Sequence, residues 1–140
     1  MDNTTYEDLR KFPHMFPKDI AIWKRYYEKN KDSYINFEYD VKVGSIPQFP
    51  ENLPPEIYKM GEILWKKRID VVGYKPDRIE IIEVKPNAGL SAFGQVLGYK
   101  LIFEKEKKPA LPVVAVLITD YPKQDIASLS PSFGVELVIV

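Results

Sequence analysis

The chain has 140 residues and balances 20 Lys and Arg against 20 Asp and Glu, so its net charge is zero. That excludes a broad basic field for gripping nucleic acid and leaves room only for a local groove. Cysteine is absent, which excludes disulfides and thiolate metal sites. A content of 45% hydrophobic and 13% aromatic residues is enough for one packed core. No apolar run approaches the roughly 20 residues of a membrane helix, and the N-terminal stretch lacks the basic-then-apolar order of a secretion signal. The expectation is one cytoplasmic, intracellular domain over residues 1–140, with no membrane.

Residues 1–16 read as irregular, broken at Pro13. PKDIAIWKRYYEKN (17–30) reads as a helix, with Pro17 and Asp19 suited to its first turn, Ile20, Trp23 and Tyr27 at helical spacing, and Asn30 as a stop. YINFEYDVKVG (34–44) alternates like a strand. Four prolines make 45–56 a long loop, since proline cannot donate to a sheet ladder. ILWKKRIDVVGY (63–74) and IEIIEVK (79–85) read as strands joined by a KPDR turn (75–78), hence as an antiparallel hairpin. Pro86 ends the second of them. Ser91 is placed to cap a helix over about 91–107 that runs into EKEKK. LPVVAVLITD (111–120) is a buried strand, parallel to a neighbour after that crossover. Residues 121–132 form a loop with a short helical turn, and GVELVIV (134–140) is a last strand. The order predicts an α/β fold with a mixed central sheet flanked by helices.

Charges inside the hairpin strands need an explanation. Alternation puts Asp70, Val72 and Tyr74 on one face and Ile81, Glu83 and Lys85 on one face. Given the right register, Asp70 and Glu83 converge near one end of the sheet. Burying an unpaired carboxylate costs several kcal/mol, and two would repel as well. A divalent cation removes both penalties, and Mg²⁺ accepts one or two carboxylates while keeping several waters. The backbone carbonyl of Val84 could add a ligand. Lys85 could orient or deprotonate the attacking water, or stabilise charge on a phosphate. On the next helix Gln95 and Tyr99 lie four apart, on one face, where Gln95 could hold a water or a phosphate and Tyr99 could touch a nucleic-acid backbone or stack on a base.

Asp70, twelve residues, then Glu83-Val84-Lys85 resembles the signature of the PD-(D/E)XK nuclease superfamily. QVLGY (95–99) resembles the Gln-x-x-x-Tyr motif of its RecB-like branch. The resemblance spans about residues 17–120 and implies a restriction-endonuclease-like αβββαβ core. It also implies a Mg²⁺- or Mn²⁺-dependent deoxyribonuclease. Asp70 and Glu83 would be metal ligands, Lys85 the catalytic lysine, and Gln95 and Tyr99 site or substrate residues, with Lys100 beside them. The family often adds an acidic residue or a histidine from the first helix. Asp19, Glu28 and His14 are the candidates here, with Asp19 favoured. Ile69 stands where the family's proline usually precedes the aspartate.

Plainer readings compete. Asp70 could pair with Arg68 or Lys67, and Glu83 and Lys85 could form a solvated stripe. Asp19 could serve only the helix dipole, and Trp23, Tyr26 and Tyr27 could be core. EKEKK would then be a solvated helix end, though Lys100, Lys105, Lys107 and Lys108 could instead line a phosphate groove. Glu80 and Glu83 cannot share a face, so one of them must lie on the less polar side. The second functional reading is a catalytically silent nucleic-acid-binding or assembly module, favoured by the neutral net charge. A third is a homodimer in which VELVIV pairs with a second copy at a sheet edge.

Overall fold

A computed structural model describes residues 11–12, 15–44, 54–56 and 67–140. His14 and most of the proline-rich loop expected over 45–56 lie outside the described residues. Helix α1 (Pro17–Asn30) leads into strand β1 (Asn36–Val43), the hairpin strands β2 (Lys67–Tyr74) and β3 (Ile79–Val84), and helix α2 (Leu90–Lys107). Strand β4 (Val113–Thr119), the short helix α3 (Gln124–Leu129) and strand β5 (Val135–Ile139) follow. The sheet runs β1-β2-β3-β4-β5. The β1–β2 and β2–β3 pairs are antiparallel, and the β3–β4 and β4–β5 pairs are parallel. This is the mixed sheet and αβββαβ order that the sequence predicts. The last strand lies at an edge, the position that pairing with a second copy would require.

The element ends differ from expectation in one instructive place. Ser91 does not cap α2; the helix begins at Leu90 with Gly89 as its N-cap. The preceding residue is already fixed, because the Ala88 N–H donates to Thr119 Oγ1 and the Ala88 carbonyl accepts the Lys123 N–H. The chain therefore turns into the helix before it reaches the serine.

Two cores sandwich the sheet. On one face Ile20, Ile22, Trp23 and Tyr26 of α1 cover Val71, Ile82, Val84, Val116 and Ile118. Trp23 meets the rings of Phe37 and Tyr39 edge-on, with centroids 5.2 and 5.9 Å away. On the other face Ala92, Phe93, Val96 and Phe103 of α2 cover Ile79, Ile81, Ala115 and Leu117. Each large apolar side chain fully buried this way contributes about 1.5–3 kcal/mol. Trp23 and Tyr26 are thus core residues, as their helical spacing suggests.

Candidate active site

The β2–β3 ladder pairs Val71 with Ile82, so the same register carried one step further sets Asp70 opposite Glu83. At that step the sheet changes character. Ile69 and Val72 join the α2-side core while Val71 joins the α1-side core, so strict alternation holds from Val71 onward and breaks at Asp70. The neighbouring strand does the same. Tyr39 packs toward α1 and Val41 toward α2, and Asp40 between them has a left-handed φ of 55°. The β1–β2 ladder skips one position between Tyr39–Val71 and Val41–Ile69, the position where Asp40 and Asp70 fall. Asp70 is the pivot.

At the pivot, side chains take over from the ladder. Asp70 Oδ2 accepts the Val84 N–H at 3.0 Å, and Glu83 Oε1 accepts the Asp70 N–H at 3.2 Å. The two carboxyl groups also lie close enough to act on each other. Glu83 is only 6% exposed. Burial pushes both groups above the ordinary carboxylate range, and Glu83 rises further because it also meets the charge of Asp70. Both carboxyls are therefore biased toward the protonated form. Arg68 reaches Asp40 at 3.5 Å.

Lys85 follows directly. Its N–H donates to the Ile118 carbonyl at 2.9 Å, which fixes the peptide that carries the Val84 carbonyl. Its ammonium pulls against burial at Asp19, Asp70 and Glu83 alike, so its charge acts on all three carboxyls. Lys85 and Asp19 share an open cleft of about 470 Å³ with Phe16, Pro17, Lys18 and Pro86. Asp19 is 5% exposed, and its Oδ2 accepts the Phe16 N–H at 3.0 Å. It thus closes the first turn of α1 while its charge is felt at Asp70. Glu28, the other acidic candidate on α1, is exposed and pairs with Lys31 at 3.2 Å.

From α2, Tyr99 is half-buried, and its phenol is pushed up by burial and by the charges of Glu83 and Asp70. It lies on the carboxylate side of the helix. Gln95 is exposed one turn earlier. Lys100 pairs with Glu104 at 3.3 Å along the helix. Among the described residues no three or more Asp, Glu or His side chains gather as a ready metal cage. The donor set is two buried carboxyls and a nearby backbone carbonyl. Such a set suits a cation that retains waters and would displace the protons that burial favours.

A second charged group lies at the other end of β3. Glu80 is 1% exposed and sits on the α1 side, opposite in face to Glu83. It accepts from the Tyr34 hydroxyl, which in turn meets the Tyr26 hydroxyl, and from Arg78 Nε at 2.9 Å, while Lys75 lies 3.2 Å away. Arg78 also grips Glu136 of β5 at 2.7 and 2.9 Å. Every charge here has a partner, and the cluster ties β3 to β5. Sequence reasoning separated the faces of Glu80 and Glu83. It missed these partners, because Tyr34 and Glu136 become neighbours of Glu80 only through the tertiary fold.

No family model matches the chain, and no curated protein matches it. Solved structures do share its fold. A protein of unknown function, AF1548, superposes with a TM-score of 0.54 at 13% identity, over 83% of this chain and 56% of that one. A repair endonuclease from Pyrococcus abyssi does so with a TM-score of 0.52 at 18% identity, over 86% and 46%. Protein VC1899 from Vibrio cholerae gives 0.53 at 15% identity, over 94% and 32%. The chain thus spans about half or less of the length of these structures, and it has a restriction-endonuclease-like α/β fold.

Proposed function

We propose that the chain is a Mg²⁺- or Mn²⁺-dependent nuclease that hydrolyses phosphodiester bonds in DNA. The observation that carries this is the buried Asp70–Glu83 pair, set opposite each other and tied to each other's backbone, with the Lys85 ammonium acting on both. The likeness in fold to a repair endonuclease supports the same reading. Asp70, Glu83 and the Val84 carbonyl would hold the cation, with Asp19 close enough to influence it. When bound, the cation neutralises the pair and polarises the phosphate. Lys85 orients the attacking water and offsets the negative charge that builds on the phosphate oxygens. The water oxygen bonds to phosphorus as the opposite P–O bond breaks, the water gives up a proton to solvent, and the leaving oxygen takes one up from solvent. Gln95 holds water or phosphate at the rim. Tyr99 and Lys100 face the strand being cut.

The test is incubation with single-stranded and duplex DNA in Mg²⁺, Mn²⁺ or chelator. Metal-dependent cutting should fall on the order of 10²–10³-fold in Asp70→Ala and in Lys85→Ala. Equal cutting by both variants would identify a contaminant. No cutting of any substrate would favour a silent nucleic-acid-binding or assembly module, the reading to which the zero net charge lends weight.

A further inference from the structure

Phe16 is 69% exposed, an unusual position for a large ring at the mouth of a charged cleft. Its backbone is nevertheless fixed. The N–H donates to Asp19 Oδ2 at 3.0 Å, the carbonyl accepts the Ile20 N–H at 3.0 Å, and Pro17 follows. The backbone that carries the ring is therefore anchored while the ring itself stays uncovered. Around it the cleft divides by chemistry: Pro17 and Pro86 offer apolar surface, and Lys18 and Lys85 offer positive charge. Apolar walls cannot bind a phosphate, and amines alone do not bind a base. A nucleotide with a free base satisfies both, its phosphate toward the lysines and its base on the ring.

We propose that Phe16 stacks on an unpaired base of the DNA strand whose phosphate lies at Lys85, so that the substrate is single-stranded DNA or a splayed strand. In a closed duplex both faces of each base are already stacked, and the ring has nothing to meet. The proposal rests on the nuclease reading for the position of the strand.

The experiment measures binding of a fluorescein-labelled oligonucleotide, and of its duplex, by anisotropy in chelator. Single strand should bind more tightly than duplex. Phe16→Ala should weaken single-strand binding on the order of tenfold, within the range for loss of one base–aromatic stack. Its duplex binding should not change, and Phe16→Tyr should restore the single-strand affinity. Ile35→Ala removes a comparably exposed apolar residue that bonds Tyr74, at the far end of the sheet, and should change nothing. Wild-type affinity in Phe16→Ala, or duplex bound as tightly as single strand, would overturn the proposal. If cutting in Mn²⁺ then still depends on Asp70, the nuclease reading survives. If the wild type neither binds nor cuts any DNA, both fall.

Discussion

Glu83 keeps its carboxyl where burial and the neighbouring Asp70 favour the protonated form. The unfolded chain has no such preference, so folding takes up a proton once the pH exceeds the ordinary glutamate value of 4.5. With the folded value raised, the contribution of Glu83 to stability is fully present below about pH 4.5 and is lost as the pH rises through the folded value. Melting temperature in chelator should therefore fall from mildly acidic to alkaline pH, apart from what other groups contribute. Glu83→Gln removes the ionisation but keeps an acceptor for the Asp70 N–H and adds a donor toward the Asp70 carboxyl. The variant should melt higher than wild type at pH 8 in chelator and show a flatter pH profile. If the proposed site binds Mn²⁺, the metal should raise the melting temperature of the wild type by binding the folded state, and the variant should lose that rise. Calorimetry with and without Mn²⁺ reads both effects, and a variant less stable than wild type in chelator would contradict the buried-acid account.

At the scale of elements, a good deal was legible in the sequence. Helix α1 begins and ends where Pro17 and Asn30 place it, and the KPDR turn sets the hairpin register that puts Asp70 across from Glu83. The pivot was not legible. Alternation is a local rule, and the paired break at Asp40 and Asp70 arises between two strands joined by a long connection. Gly73 shows the same limit. Nothing in its immediate neighbours announces that a Cβ there would come within 2.7 Å of the Tyr34 ring. That ring cannot yield easily, because its hydroxyl is tied to both Tyr26 and Glu80. Gly73→Ala should therefore cost about 1–3 kcal/mol, the range for overpacking a filled core. Urea denaturation measures it, and unchanged stability would mean that Tyr34 is free to swing.

For the molecule as a whole, zero net charge limits how DNA can be held. Under the proposed function, Lys18, Lys85 and Lys100 would be the three cations that meet phosphate. At roughly 0.7 per phosphate contact on single strands, the slope of log affinity against log salt should be about −2. A slope several times steeper would point to a basic surface elsewhere. Strand β3 also divides the molecule by task. The Arg78–Glu80–Glu136 clamp holds one end, and the acid pair occupies the other. The two carboxylates lie on opposite faces and, three residues apart, about 10 Å from each other along the strand. The stability losses of Arg78→Met and Lys85→Ala should therefore sum to within about 0.5 kcal/mol in the double variant. Cutting by Arg78→Met should match wild type at temperatures where the variant stays folded. Such a strand can accumulate changes at its anchored pole to suit a higher or lower working temperature without retuning the acid pair, and the surroundings of the acid pair can change without loosening the anchor.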